Sequence, residues 1–229
     1  MLWLLLLVSL PLLLLAPGWW VQRVMRRYAE PADRYPLSGA RLARELLDAC
    51  HLQDVRVEAT EQGDHYDPQA RTVRLTPPHH DGRSLAAVTI AAHEVGHALQ
   101  HADGYRPLRW RGQLVGFASR AQRAAPLLLM AAPLLLMVTR VPGVALLAAL
   151  LAVAAMALGT LVHLVTLPTE FDASFGRAMP LLRRGGVLHD GDEPHARRLL
   201  TAAALTYVAA AAMSLLNLGR WLPLLRRAI

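Results

Sequence analysis

Four long apolar runs divide this chain of 229 residues, and they constrain its fold more than any other feature. They lie at 2–21, 124–138, 144–167 and 199–218. A helix needs about 20 predominantly apolar residues to cross a hydrocarbon core roughly 30 Å thick. No positive charge precedes the first run and no small-x-small cleavage site follows it, so it reads as a retained anchor rather than a cleaved signal peptide. Arg140, Pro142 and Gly143 part the second and third runs and suit the tip of a helical hairpin. The second run is slightly short, and Arg140 can snorkel outward to ease the mismatch. The fourth is rich in Ala, which suits close helix packing in lipid. Four such runs in so short a chain argue against a soluble helical bundle.

Charge placement supports the same reading. All 24 basic residues are Arg, the net charge is +7, and 54% of residues are hydrophobic. A basic chain can bind nucleic acid, but here the Arg residues gather beside apolar runs, as expected for membrane orientation and headgroup contact. No nucleic-acid partner is expected. Trp19 and Trp20 form an interfacial belt, and Arg23, Arg26 and Arg27 put the end of the first run in the cytoplasm. Arg106, Arg109, Arg111, Arg120 and Arg123 mark one further cytoplasmic stretch, and Arg177, Arg183, Arg184, Arg197 and Arg198 another. Arg220, Arg226 and Arg227 fit four full crossings badly: either the charge rule is violated there or the last run does not span. Cys50 is the only cysteine, which excludes an internal disulfide and a thiolate zinc cluster.

The expected organisation is an N-terminal anchor at 1–21, a zincin-like soluble part at 22–123, a transmembrane hairpin at 124–167, a ligand-bearing segment at 168–198, and a membrane helix with tail at 199–229. The fold class is α+β and predominantly helical. The chain is a multi-pass membrane protein with its small domain on the cytoplasmic side of the cell membrane.

Within the polar part, Ser38 can cap a helix carrying Leu42, Leu46, Leu47 and Cys50 on one stripe. Residues 55–59 alternate like a strand, residues 63–68 are turn chemistry, and Thr72–Leu75 resumes the alternation. Pro77 and Pro78 end that strand, and a helix runs from near Ser84 to about His101.

On that helix sits His93-Glu94-Val95-Gly96-His97. Histidines four residues apart share a helical face, so both imidazoles can reach one ion. Glu94 can reach a water on that ion without being a ligand. Zn²⁺ lowers the pKa of such a water to roughly 7, and a carboxylate can then take its proton during attack on a peptide carbonyl. The flanking Ile90, Ala91, Ala92, Val95, Ala98 and Leu99 are uncharged, as a buried active-site helix requires. Two core histidines and a carboxylate without a partner would be costly to bury.

A catalytic zinc wants a third protein ligand and one open position. Asp103 lies six residues beyond His97, but that geometry uses a helix-breaking Gly where this chain has Gln100. His101 sits one turn past His97, too far along the axis. Glu170 follows Pro168 at an expected helix start and is the favoured ligand. In an α-helix, Glu170, Ser174 and Arg177 would share one face while Asp172 points elsewhere. The apolar hairpin between His97 and Glu170 supplies the even number of crossings their meeting requires.

The segments Asp64-His65-Tyr66-Asp67-Pro68, Gly82-Arg83-Ser84-Leu85-Ala86-Ala87-Val88, Ala91-Ala92-His93-Glu94-Val95-Gly96-His97-Ala98-Leu99-Gln100 and Glu170-Phe171-Asp172-Ala173-Ser174 recur in order in a known group. With them, the chain from about Tyr35 onward resembles the YugP-like membrane zinc metallopeptidases of bacteria. The resemblance implies a gluzincin-type site, with His93, His97 and Glu170 as ligands and Glu94 as base. The layout is also similar to HtpX-type proteases, whose segment after the glutamate usually ends in Asp where this chain has Ser174. Ser174 and Asp172 therefore both stay open as partners of the ligands, and Arg177 stands beside them as an outer-sphere or oxyanion candidate.

The reading is a zinc-dependent endopeptidase acting on membrane or membrane-proximal proteins, with the lipid bilayer and a peptide substrate as partners. Thr72–Leu75 is expected to be an edge strand that receives substrate backbone. His189, His195 and Tyr207 are further oxyanion candidates. His79 and His80 read as a solvated pair, and His163 as a helix-packing histidine. Two alternatives remain: a site-2-type intramembrane protease using Asp190-Gly191, and a non-catalytic membrane scaffold that has kept a zinc.

Overall fold

The computed structural model describes the backbone of residues 2–228 and the side chains of residues 12, 14–144 and 146–216. The chain forms two compact units. One comprises Met1–Gly18, Trp110–Thr166 and Tyr207–Ile229, and the other Trp19–Arg109 and Leu167–Thr206.

The second unit is the polar one, and the small sheet and the main buried core belong to it. Helix α1 (Leu2–Tyr28) runs into it and places Val21, Val24 and Tyr28 in its core. Helix α2 (Gly39–Ala49) starts where expected, because the Ser38 hydroxyl accepts from the Arg41 N–H. Leu42, Leu46 and Leu47 are buried along its inner stripe. Strands β1 (Arg56–Ala59), β2 (His65–Asp67) and β3 (Thr72–Leu75) form a sheet of order β1-β3-β2.

Two expectations are corrected here. Residues 65–67 are a strand within the expected turn, antiparallel to β3 with Tyr66 opposite Val73. The turn proper is the tight connection after it, where Asp67 Oδ1 accepts the N–H groups of Gln69 and Ala70. As a result β3 is central, with β1 parallel on its other flank, and it has no free edge to offer a substrate. The edges belong to β1 and β2.

Pro77 and Pro78 end β3 as expected and also open a short helix, α3 (Pro77–His80), since proline suits a first helical turn. Asp64 pins this corner: Oδ1 accepts the Thr76 N–H at 2.7 Å, and Oδ2 lies 2.7 Å from His79 Nδ1. Helix α4 (Leu85–Ala102) is capped by Ser84, whose hydroxyl accepts from the Ala87 N–H. Every residue from Leu85 to Ala98 is buried, so α4 is the central helix of the unit.

The end of α6 (Pro142–Phe171) passes into a π-helical segment, Asp172–Ala178, and then α7 (Met179–Arg184). The start of α8 (Glu193–Ala228) completes the core with Ala196, Leu199 and Leu200. Buried Asp192, just before α8, accepts from Nε and one terminal nitrogen of the Arg34 guanidinium and from the Tyr35 hydroxyl. Burial, followed by the Asp192 carboxylate, pushes the Tyr35 phenol up to about 12. Burial alone would raise the Asp192 carboxyl, but the bonds from Arg34 and Tyr35 outweigh it and hold that carboxyl below its usual range.

The other unit is built from the long helices. Three helices in the described residues are long and apolar enough to cross a membrane: Arg106–Thr139, Pro142–Arg184 and Glu193–Leu216. Helix α5 (Arg106–Thr139) begins well before the apolar run at 124, so the Arg-rich stretch from 106 is helical too. It holds Pro126 and Pro133 internally. From Trp110 onward its buried positions, Ala118, Ala125 and Ala132, recur every seven residues, whereas Leu127, Met130, Leu134 and Met137 are exposed. Small residues inside and large apolar ones outside invert the order of a water-soluble bundle and match helices packed in lipid. The first apolar run is helical, but the side chains of residues 2–11 and 13 and those of Arg220, Arg226 and Arg227 fall outside the described set, and with them the spanning of that run and the orientation of the tail.

Candidate metal centre

α4 brings His93 and His97 to one face, as their spacing requires, with ring centroids 4.8 Å apart in an edge-on arrangement. Glu170 reaches them from the end of α6. Its Oε2 lies 3.3 Å from His93 Nε2 and 3.3 Å from His97 Nε2. All three residues are buried, Glu170 to 1% exposure, and their donor atoms fall within 4.8 Å of one another. Among the described residues, this is the one group of three such side chains close enough to hold an ion.

Contrary to the expectation drawn from Pro168, Glu170 does not open a helix. Pro168 lies inside α6, and the chain continues past Glu170 straight into the π segment. That segment also rearranges the expected faces. With more than four residues per turn, residues five apart align, so Arg177 Nε donates to Asp172 Oδ2 at 2.9 Å instead of sharing a face with Glu170. A second Arg177 nitrogen pairs with Asp103, the residue that caps the end of α4. Ser174 is buried beneath the histidines, 3.1 Å from His93 Nδ1.

The hydrogen bonds around the two imidazoles assign their tautomers. The Ser174 hydroxyl donates to the Leu200 carbonyl, so its oxygen accepts from His93 Nδ1–H. The Gln100 amide nitrogen donates to the Thr169 carbonyl and to Asp172 Oδ2, so its oxygen accepts from His97 Nδ1–H. Both Nε2 atoms then carry bare lone pairs and face one carboxylate oxygen. Three acceptors converging in a buried space repel one another unless a cation sits between them. Tetrahedral ligands each about 2.05 Å from a zinc ion stand ~3.4 Å apart, close to the 3.3 Å separations seen here. The donor set therefore fits zinc in its chemistry, and both imidazole–carboxylate separations fit its spacing.

Other candidates lie elsewhere. His101 Nδ1 pairs with the Tyr66 hydroxyl at 2.8 Å. His79 is bonded to Asp64 and His80 to its neighbour Asp81. His189 stacks on Tyr35, and His195 pairs with the Tyr28 hydroxyl. Asp190, the residue of the site-2-type alternative, is exposed, and the third member of the cluster is Glu170. In the other unit, His163 packs beside Tyr207, whose hydroxyl is bonded by Arg111. Sequence reasoning passed over Gln100 except as the residue standing in place of a glycine. The available signal was its position three residues after His97, on the same helical face.

Comparison with known proteins agrees with this geometry. Residues 3–226 match a family described as "Putative neutral zinc metallopeptidase". The chain is 37% identical over 203 residues to the "Putative membrane protease YugP" of Bacillus subtilis (strain 168), covering 88% of this chain and 86% of that relative. No solved structure matches. The chain belongs to the neutral zinc metallopeptidase family, whose metal, Zn²⁺, is the ion that the two imidazoles and one carboxylate of this site suit.

Proposed function

We propose that this chain is a zinc-dependent endopeptidase that hydrolyses peptide bonds of membrane or membrane-proximal proteins. His93, His97 and Glu170 hold the metal, and Glu94 is the general base. The observation that carries this reading is the convergence of residues 93, 97 and 170 around one point, with a second buried carboxylate, Glu94, on the same helix. Zinc in such a site polarises a carbonyl and makes a water far more acidic. Glu94 takes the proton of the attacking water and passes it to the leaving amine. Ser174 orients His93 through its Nδ1–H, while Asp172 and Arg177 brace the site one bond further out. Arg177 is engaged by two carboxylates, which favours bracing over stabilising an oxyanion.

The apolar helices make the enzyme a multi-pass protein of the cell membrane, with the first run as anchor, 124–167 as hairpin and 199–229 as the last membrane helix and tail. The segments 22–123 and 168–198 carry the catalytic part. The Arg-rich stretches flanking the hairpin put that part on the cytoplasmic side.

The test is Glu94→Gln in the full chain in detergent, with zinc content and casein or self-cleavage measured alongside wild type. Zinc should stay bound while cleavage is lost. A variant that still cleaves would move the base elsewhere, and a zinc-loaded wild type that cleaves nothing would favour the scaffold reading.

A further inference from the structure

We infer that Gln100 is a positioning residue that selects which ring nitrogen of His97 faces the metal, with Asp172 holding the amide the right way round. This rests on the metal-site reading above. Gln100 follows His97 by three residues on α4 and is fully buried, at 0% exposure. Its amide nitrogen lies 2.8 Å from the Thr169 carbonyl oxygen and 2.8 Å from Asp172 Oδ2. Both of these accept, so rotating the amide by half a turn would set three oxygens against one another. The amide is therefore locked with its own oxygen 2.9 Å from His97 Nδ1.

The consequence falls on the far side of the ring. With hydrogen held on Nδ1, His97 presents a lone pair at Nε2, 3.3 Å from Glu170 Oε2. Without the Gln100 oxygen, a neutral His97 gains by moving its hydrogen to Nε2, where the Glu170 carboxylate accepts it. That internal bond competes directly with the metal for both ligands. The amide thus holds the metal-free site open. Asp172 is itself held by Arg177 Nε at 2.9 Å, and Arg177 is anchored on Asp103 at the end of α4. The brace runs from α4 through the π segment and back to α4.

Two readouts test this on the full chain in detergent. In metal-free protein at roughly pH 8, long-range proton–nitrogen NMR on labelled histidine reads which ring nitrogen of His97 carries hydrogen. Wild type should be the Nδ1–H form. Gln100→Met, similar in size but without the amide, should shift His97 toward Nε2–H and weaken zinc binding about 10- to 100-fold in a competition titration. Gln100→Glu keeps an oxygen facing His97 Nδ1 and should therefore keep the Nδ1–H form, although its second oxygen is set against the Thr169 carbonyl. His97 keeping Nδ1–H in Gln100→Met, or zinc affinity within about twofold of wild type, overturns the inference. A wild type that takes up no zinc would overturn the metal-site reading instead, while the tautomer measurement would still decide the role of Gln100.

Discussion

Gly96 lies so close to Ala173 that a Cβ added to Gly96 would stand 2.6 Å from the Ala173 carbonyl oxygen. Helix α4 and the π segment therefore meet backbone to backbone at the middle of the metal motif. The contact has a chemical purpose. Gly96 stands between His93 and His97, and Ala173 stands between Glu170 and Ser174, so this single approach sets the distance of the carboxylate and the hydroxyl from both imidazoles.

Gly96→Ala should therefore damage the site without touching a ligand. The methyl group has a carbonyl oxygen, not a flexible side chain, in its way, so the π segment must move. The expected cost is about 1–3 kcal/mol of stability, with zinc affinity falling at least tenfold. Thermal melts and zinc competition on the same preparation measure both. Unchanged values would mean that the close approach does not govern ligand spacing.

Removing Glu170 and removing Asp103 should have opposite outcomes. Glu170→Ala takes one of three donors from a buried site, so metal loss should exceed the about 10–100-fold typical of losing an outer partner. The Asp103 side chain is largely exposed and pairs with Arg177, away from the imidazoles, so Asp103→Ala should purify with its zinc. Metal analysis of the two variants against wild type distinguishes them, and zinc retained by Glu170→Ala would remove the carboxylate from the ligand set.

Ser174→Ala leaves the His93 Nδ1–H without its acceptor in a dry environment. Zinc affinity should drop about 10–100-fold, and activity should fall with it and recover in excess zinc. Activity that stays low at full metal occupancy would instead place Ser174 in the reaction itself.

Asp64 should shape the acid limb of stability. Burial alone would raise its carboxyl, but the bonds from His79 and Thr76 outweigh burial and hold it below the ordinary carboxylate range. A carboxyl depressed on folding stabilises the fold above its unfolded value of about 3.9, and that stability is lost as pH falls toward the folded value. In chelator-treated protein, the Tm gap between wild type and Asp64→Asn should be widest near neutral pH and should close below about pH 4. A gap that stays constant down to pH 3 would show that the ionised carboxylate contributes nothing at this corner.

Features confined to one turn or one run could be read from the amino acids alone. Histidines at 93 and 97 must share a face if the segment is helical, and Ser84 at its start with the uncharged Ile90, Ala91, Ala92, Val95, Ala98 and Leu99 around the motif point to a buried helix. The apolar runs were legible for the same reason, since hydropathy is a property of contiguous residues. Glu170 could be singled out by the resemblance and by counting crossings, but its convergence with His97 spans 73 positions and depends on packing. The tertiary structure alone decided that β3 is central, because an edge is defined by which strands pair and not by the strand's own alternation. It also decided that Ser174 serves His93 while Asp172 serves Gln100. A π turn changes which residues align, and nothing in Asp172–Ala178 announces it. The backbone contact at Gly96 and the orientation of the Gln100 amide belong to the same class: both are set by what lies opposite, on a segment the chain reaches only after leaving through one long apolar helix and returning through another.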